Sequence, residues 1–407
     1  MSVQAKPYIG IFGRRNNGKS SLVNVLTGQE IAIVSDVAGT TTDPVKKAME
    51  IPGIGPVVLV DTAGIDDTGE LGEKRMARAR EILTTVDLAL LVIAGNRFGS
   101  FEEELIAGFE EYCIPFIIVH NKSDIEVLHL QTLSEIKEKS NAQIIDFSAL
   151  HNPETGRLLD LIHKFIPESA YRSNSLVGDL VKYGDVVMLI TPIDIEAPEG
   201  RLILPQVQVI RDILDNDGIA VVVKEREAYA FLRRMNPKPA LVITDSQVFL
   251  KADAIVPKEI PLTSFSILLA RQKGDFTNYL LGTPHLSSLK DGDRILILES
   301  CTHHVSCDDI GRVKIPRWLS NFSGKKLEFE TVSGLNKLPN DIHEFAMVIQ
   351  CGGCMITRKQ IVNRLKTAVD AGIPVTNYGM AIAYVHGIYN RAVSLFVEKG
   401  VSPSSYL

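Results

Sequence analysis

Several hallmarks of membrane-bound and exported proteins are missing from this 407-residue sequence. Its best apolar stretch, residues 86–94, is about half as long as the roughly 18 to 20 residues that cross a bilayer. Its first residues, MSVQAKPYIGIFG, lack the charged, apolar and small-residue segments of a signal peptide. We therefore expect a cytoplasmic protein without a membrane partner.

An excess of positive charge is also missing. The chain has 43 Lys and Arg residues against 49 Asp and Glu residues, a formal net charge of -6. Proteins that bind nucleic acids neutralise the phosphates with clustered Lys and Arg side chains. The charge balance therefore predicts no nucleic-acid partner.

Cysteine is scarce, with five residues in the whole chain. Thiols in a reducing compartment rarely form structural disulfides. Four of the five lie between residues 301 and 354, and this clustering indicates metal or redox chemistry. The fifth, Cys113, has the apolar context EEYCIPF and is predicted to be a buried small hydrophobic residue.

The apolar residues that are present follow a regular order along the chain. Residues 7–166 alternate strand-like runs with amphipathic helical stretches, which is typical of a parallel βαβ sheet. Residues 167–174 break this pattern as a linker, and two further βα series follow. We predict an α/β fold with three domains, 1–170, 171–262 and 263–407, and a single helix over residues 381–400.

A phosphate-binding loop follows the first predicted strand. Residues 13–20, GRRNNGKS, fit the pattern G-x-x-x-x-G-K-[ST] and precede the helical SSLVNVLTG. Backbone N–H groups in such a loop surround a β-phosphate. Lys19 would reach the β- and γ-phosphate oxygens, and Ser20 would ligate Mg²⁺.

Three further motifs identify the nucleotide. In D-T-A-G, Asp61 would hold Mg²⁺ through water and the Gly64 amide would sense the γ-phosphate. In N-K-S-D, residues 121–124, the Asp124 carboxylate can accept two hydrogen bonds from guanine, an arrangement that adenine does not offer. In S-A-L, residues 148–150, the Ala149 amide would face the guanine O6. The four motifs together predict GTP rather than ATP.

The loop at residues 39–43, GTTTD, resembles the G-x-T-x-D switch of the TrmE/Era family of GTPases. This resemblance implies that Thr41 completes the Mg²⁺ shell. It also implies that Asn16, the fourth residue of the phosphate loop, helps to hold K⁺ against the phosphates. A loop-stabilising role for Asn16 is the alternative.

The water-orienting residue stays open. Position 65 is Ile where Ras-like proteins carry Gln, so slow intrinsic hydrolysis is expected, and Asp66, Asp67 and Glu70 are equal candidates. The predicted nucleotide-binding residues are Gly13, Asn16, Asn17, Gly18, Lys19, Ser20, Ser21, Thr41, Asp61, Gly64, Asn121, Lys122, Asp124, Ser148, Ala149 and Leu150, with Lys19, Thr41 and Gly64 as the catalytic candidates.

The cysteines form a second candidate site. Cys301 begins the triplet C-T-H, and Cys351 and Cys354 enclose two glycines in C-G-G-C. Cys301 and Cys351 follow predicted strands, so both should emerge at the carboxyl edge of a parallel sheet, where α/β folds bind ligands. Three thiolates and one variable ligand suit an iron–sulfur cluster. Zinc held by three cysteines and a histidine is the competing interpretation, and unligated thiols are a third.

The combination of motifs resembles the HydF family, the GTPase of FeFe-hydrogenase maturation, over the whole chain. This resemblance implies a GTP-binding domain (1–170), a dimerisation domain that makes a homodimer (171–262) and a domain (263–407) that carries a 4Fe-4S cluster on Cys301, Cys351 and Cys354. It also implies a scaffold that receives a diiron precursor, built with two radical SAM enzymes, and transfers it to apo FeFe-hydrogenase.

One residue departs from the family pattern. The family usually has H-C-x-x-C, whereas Gln350 precedes Cys351 here. His303, His304, a water or a carried cofactor therefore remain candidates for the fourth cluster position, and Cys307 is either a further ligand or a bystander. Two other functions compete with this one: a GTPase directed at RNA or the ribosome, and a redox enzyme. No basic aromatic surface and no second cofactor motif favours either.

Overall fold

The computed structural model describes residues 6–28, 45–61, 79, 82–150, 155–167, 170, 174–192, 202–300, 309–336, 338–339 and 341–397. The chain divides into two compact units, Val3–Ser173 and Asn174–Leu407. Within the described residues, no helix combines the length and the apolar character needed to cross a bilayer.

A six-stranded sheet with the order β2-β3-β1-β4-β5-β6 forms the first unit. Its strands are β1 (Tyr8–Phe12), β2 (Val45–Ile51), β3 (Gly55–Asp61), β4 (Leu88–Ile93), β5 (Phe116–His120) and β6 (Gln143–Asp146). Its helices are α1 (Lys19–Thr27), α2 (Ser100–Glu111), α3 (Leu130–Lys139) and α4 (Thr155–Phe165). Only the pairing of β2 with β3 is antiparallel among the described strands.

The central strands of this sheet are apolar because both faces are covered. All six residues of β4, LALLVI, are buried. Alternate residues enter two separate cores, one containing Leu90 and Leu22 and the other containing Leu91 and Phe109. This burial on both faces is typical of parallel sheets covered by crossover helices. It leaves the strand ends and the loops after them as the positions where polar side chains collect.

The second unit contains two parallel sheets, with the orders β10-β9-β7-β8 and β12-β11-β13-β14. The strands are β7 (Val186–Ile190), β8 (Ile219–Val223), β9 (Leu241–Thr244), β10 (Leu262–Ser264), β11 (Arg294–Leu298), β12 (Glu328–Val332), β13 (Phe345–Gln350) and β14 (Val375–Asn377). The helices are α5 (Leu204–Asp215), α6 (Glu225–Arg234), α7 (Phe249–Ile255), α8 (Phe265–Lys273), α9 (Phe276–Gly282), α10 (Ile315–Ser323), α11 (Arg358–Asp370), α12 (Tyr378–Val385) and α13 (Tyr389–Val397).

One hydrophobic core joins these two sheets. It includes Leu189 of β7, Leu268 of α8, Val348 of β13 and Leu365 of α11. A second core covers the other face of the third sheet, β12-β11-β13-β14, and contains Ile297 of β11. Residues 175–260 therefore contribute to the same core as the strand that carries the C-x-x-C motif.

The predicted α/β class with mostly parallel sheets is confirmed. The three domain ranges stay predictions. The single helix predicted over residues 381–400 is wrong in the described part of that range, because the chain turns at Gly387 with a φ of 73° and divides into α12 and α13. Residues 398–400 lie outside the described residues.

The prediction for Cys113 is also wrong. Its side chain is exposed, because the chain leaves α2 through a left-handed turn with a φ of 48° at this residue. The buried position next to it is taken by Ile114, which is 3% exposed.

Candidate functional site

The phosphate loop connects β1 with α1. Buried Lys19 lies across it, and its Nζ donates hydrogen bonds to the carbonyl oxygens of Gly13 and Arg14, each at 2.9 Å. Gly18 has a φ of 83°, and a Cβ there would lie 2.2 Å from the Nδ2 of Asn121. Glycine is therefore required at this position, and the Lys19 ammonium stands where phosphate oxygens can replace the carbonyls as acceptors.

Asn121 joins the phosphate loop to the two predicted guanine loops, N-K-S-D (121–124) and S-A-L (148–150). Its Nδ2 donates to the carbonyl oxygen of Asn17 at 2.8 Å, and its Oδ1 accepts a hydrogen bond from the Ala149 N–H at 3.3 Å. Asn17 is held in turn, because its Nδ2 donates to the carbonyl oxygen of Val92 at 2.8 Å. The three loops thus form one hydrogen-bonded arrangement.

The remaining predicted nucleotide residues differ in their exposure to solvent. Asn16 is exposed with a φ of 63°, and Ser20 and Ser21 are exposed in the first turn of α1. Asp124 is exposed and Ser148 is buried. The N-K-S-D and S-A-L loops also meet directly, since the Ser123 N–H donates to the carbonyl oxygen of Phe147 at 3.1 Å.

Three of the predicted residues lie partly or wholly outside the described structure. Thr41 and Gly64 are among the residues that it does not describe, as are Ile65, Asp66, Asp67 and Glu70. The backbone of Asp61 ends β3 beside Ile11 of β1, and its side chain is outside the description.

Two contacts that the motifs did not predict support the nucleotide loops. Arg14 makes a paired salt bridge with the buried carboxylate of Glu102, with two N–O distances of 2.8 Å, and so ties the phosphate loop to α2. His120 is fully buried, and its Nδ1 lies 2.7 Å from the Oδ1 of Asp146. This pair joins the ends of β5 and β6, directly before the two guanine loops.

The C-x-x-C motif follows β13 at the carboxyl edge of the third sheet. Leu298 of β11 pairs with Gln350 of β13, so the residues after both strands lie side by side. The Ser300 N–H donates a hydrogen bond to the Sγ of Cys351 at 3.1 Å, and the Cys351 thiol donates to the Ser300 Oγ at 2.9 Å. Amide donors of this kind are a feature of thiolates that bind iron–sulfur clusters.

The shape of the C-x-x-C turn depends on its second glycine. Gly353 has a φ of 67°, and a Cβ there would lie 2.3 Å from the Cδ1 of Ile361.

Burial raises the pKa of the Cys354 thiol, Cys351 raises it further, and Lys273 lowers it. Cys351 and Cys354 are both partly buried on one turn, which is a donor pair suited to soft metals.

The other predicted metal ligands lie outside the described residues. These are Cys301 and His303, together with the alternatives His304 and Cys307. Within the described part of the chain, no three His, Cys, Asp or Glu side chains come together as a metal site. The described pair of thiols therefore fits a part of a soft-metal site and does not distinguish iron–sulfur from zinc.

Gln350, the departure from the family pattern, is fully buried. Its Nε2 donates to the Ser300 Oγ at 3.0 Å and to the Cys351 carbonyl oxygen at 3.2 Å. Its Oε1 has no hydrogen-bond partner among the described residues. The amide therefore supports the serine that contacts the Cys351 sulfur.

Family models match most of this chain. A model described as the hydrogen maturase F dimerization domain matches residues 176–274, and one described as the hydrogen maturase F tetramerization domain matches residues 277–395. A third, described as a 50S ribosome-binding GTPase, matches residues 8–122. The chain belongs to the HydF family. The resemblance drawn from the sequence motifs is confirmed, and the first unit of this HydF chain is a P-loop GTPase domain.

Relatives of this HydF chain among curated proteins include two bacterial GTPases. GTPase Der of Wolinella succinogenes is 36% identical over 167 residues, which cover 39% of the chain and 34% of Der. The tRNA modification GTPase MnmE of Nitrosomonas eutropha is 34% identical over 168 residues, which cover 41% of the chain and 35% of MnmE. The chain thus spans about a third of the length of these relatives.

One solved structure that this HydF chain matches is Era of Aquifex aeolicus. The two chains are 22% identical, and the match covers 57% of this HydF chain and 98% of Era, with a TM-score of 0.34.

Proposed function

We propose that this protein is a GTP-hydrolysing scaffold that binds a 4Fe-4S cluster and delivers a diiron precursor to apo FeFe-hydrogenase. The observation that carries the proposal is the half-buried pair Cys351 and Cys354 beside Ser300, within the residues that match the hydrogen maturase F tetramerization domain. The radical SAM maturation enzymes are its further proposed partners.

The nucleotide steps follow from the first unit. Lys19 and the loop N–H groups would bind the phosphates of GTP, and Asp124 would accept hydrogen bonds from guanine. Ser20 and Thr41 would ligate Mg²⁺, which supplies charge neutralisation of the phosphates, and Asn16 would hold K⁺ beside them. The hydrogen bonds of Asn121 keep the phosphate and guanine loops at a fixed separation, so that one molecule binds both.

The cluster site would use the thiolates of Cys351, Cys354 and Cys301, with His303 as an exchangeable fourth ligand. A bound 4Fe-4S cluster supplies an iron with one replaceable ligand. The Ser300 N–H would remain on the Cys351 sulfur, and Gln350 would keep the Ser300 side chain in place. An exchangeable ligand suits a protein that must hold a second metal unit and then release it.

Oligomerisation is supported by an exposed edge in the second unit. Strand β8 lies at the end of its sheet, and Ile219 and Val222 are 50% and 43% exposed. Apolar edge strands attract further strands. We propose that β8 forms the homodimer contact, since it lies in the residues that match the dimerization domain.

The alternative is a GTPase that acts on RNA or the ribosome and carries a structural zinc or cluster site. The description of the model matched by residues 8–122 and the name of the MnmE relative favour it. The net charge of -6 opposes it.

Anaerobic purification and reconstitution test the proposal. We expect about four iron and four sulfide ions per chain and an EPR signal after reduction. One zinc ion per chain without iron or sulfide, together with binding to ribosomal RNA or tRNA, would support the alternative and overturn the proposal.

A further inference from the structure

Lys273, the last residue of α8, reaches the C-x-x-C turn. Its Nζ donates hydrogen bonds to the carbonyl oxygens of Gly353, Cys354 and Ile356, each at 3.2 Å. A protonated lysine has three N–H donors, and a neutral one has two. The three acceptors therefore match the charged ammonium.

This arrangement is not a helix cap. A basic residue in the last turn of a helix commonly bonds the last carbonyl oxygens of its own helix. Lys273 instead bonds residues 80 to 83 positions further along the chain. Its side chain thus joins α8 to the turn that holds Cys351 and Cys354.

The charge of Lys273 has no acidic partner among the described residues. Its hydrogen-bond partners are the three carbonyl oxygens alone. Lys273 is partly buried, and a charge removed from water is costly unless an opposite charge compensates it. The turn that its Nζ bonds carries Cys351 and Cys354, whose thiolates would supply that opposite charge.

Arg364 on α11 is another cation that interacts with Cys351, and it is buried. It is 7% exposed and donates to the carbonyl oxygens of Glu299 at 2.7 Å and Val332 at 2.8 Å. Burial lowers its pKa, and Cys351 gives the largest opposing interaction. Unlike Lys273, its described hydrogen bonds go to carbonyls outside the C-x-x-C turn.

We propose that Lys273 is a positioning residue of the metal site: it holds the C-x-x-C turn in its metal-binding shape, and its charge stabilises an anionic, thiolate-bound cluster. The inference rests on the proposed function in that it requires a cluster on Cys351 and Cys354. A positive charge in a region of low dielectric favours the more negative, reduced form of a cluster. Lys273 therefore raises the reduction potential of the cluster.

Four variants separate the two effects. Lys273→Met removes the charge and the hydrogen bonds, whereas Lys273→Gln removes the charge and keeps an N–H donor. Arg364→Gln removes a nearby charge that bonds no carbonyl of the turn. Lys366→Met removes a half-exposed lysine of α11 that pairs with Asp370, and serves as the matched control.

Two measurements on the full-length chain give the readouts. The amide hydrogen-exchange rates of residues 351–356 in the metal-free protein report how strongly the C-x-x-C turn is stabilised. An EPR-monitored redox titration of the reconstituted protein gives the midpoint potential of the cluster. We expect the amides of residues 351–356 to exchange about tenfold faster or more in Lys273→Met, because three hydrogen bonds are lost. The potential should fall in both Lys273 variants and in Arg364→Gln. Lys366→Met should change neither quantity.

The outcomes are distinguishable. Unchanged exchange in a folded Lys273→Met variant overturns the positioning role, and an unchanged potential in Lys273→Gln overturns the charge effect. Should Lys273→Met fail to fold by circular dichroism, Lys273→Gln decides both, because its shorter amide has two N–H donors for three carbonyl oxygens and should still let the turn exchange faster. A wild-type chain that takes up no iron overturns the proposed function and the charge effect with it, whereas exchange in the metal-free chain still decides the positioning role.

Discussion

The backbone N–H of Ser300 lies 3.1 Å from the sulfur of Cys351 and donates a hydrogen bond to it. The two residues are about 50 positions apart, and they meet because Leu298 and Gln350 pair at the ends of neighbouring parallel strands. The edge of the third sheet thus places Ser300 beside Cys351.

The guanine contact of Asp124 gives the first prediction. Asp124→Ala should lower GTP affinity by roughly two orders of magnitude, because two hydrogen bonds to a carboxylate are lost. Asp124→Asn should instead favour xanthosine nucleotides, since its amide can donate to the 2-oxo group of xanthine. Titration with fluorescent GTP, ATP and XTP measures both effects. Unchanged preference for guanine in Asp124→Ala would remove Asp124 from the base-binding site.

Asn16 gives a prediction on monovalent cations. GTP turnover should be faster in K⁺ than in Na⁺ at equal ionic strength, and Asn16→Ala should lose this difference. Its side chain is exposed and therefore accessible to a cation, whereas its left-handed φ of 63°, which Asn adopts readily, is also what a loop-stabilising residue would show. Phosphate release in the two salts is the measurement. Equal rates for the wild-type protein would contradict the assignment.

Sequence patterns predicted those parts of the molecule that have a fixed local signature. The phosphate loop, the N-K-S-D loop and the position of Cys351 after an apolar strand all follow from short motifs and alternation. Lys273 could not be found in this way, because a lone lysine at a helix end has no spacing that signals a partner 80 residues away. The same holds for Arg14 and Glu102, whose salt bridge depends on how α2 packs beside the loop.

Local patterns also failed where backbone direction decides burial. Cys113 has apolar neighbours and was predicted to be buried, but a left-handed residue after a helix turns the side chain outward. The order of strands in the third sheet is a second feature that local patterns do not predict. Chain order does not reveal that β11 lies between β12 and β13, because that choice is made by packing of the helices on both faces.

The exposed edge of β8 gives a prediction on the oligomer. Val222→Lys should convert the proposed homodimer to a monomer, because a charged side chain on an edge strand opposes pairing with another strand. Leu250→Lys, on α7 and 52% exposed, is the matched control and should leave the dimer intact. Light scattering measures the mass. Deletion of residues 175–260 is a poorer test, since it removes strands from the core shared with the third sheet.

A dimer that persists in Val222→Lys and dissociates in Leu250→Lys would move the interface from β8 to the face of α7.

The three thiolates give a prediction on cluster retention. Cys301→Ser, Cys351→Ser and Cys354→Ser should each lose most of the iron and sulfide and all ability to activate apo-hydrogenase, because serine is a poor ligand for iron–sulfur clusters. Cys307→Ser should keep both. Cys113→Ser, an exposed cysteine of the first unit, is the matched control.

Lys19→Ala should abolish GTP hydrolysis and retain the iron, since the phosphate loop lies in the other unit.

The fourth cluster position gives the last prediction. His303→Ala should retain a cluster, because the thiolates anchor the iron, but its EPR spectrum should change and hydrogenase activation should fall. Imidazole or cyanide added to the reduced wild-type protein should alter the EPR spectrum in the same region, since an exchangeable ligand gives way to an external one. The Nε2 of Gln350 is committed to Ser300 and the Cys351 carbonyl, whereas its Oε1 has no hydrogen-bond partner among the described residues. A wild-type spectrum that neither ligand changes would mean that a tightly held protein side chain closes the site, and release of a second metal unit would then need another route.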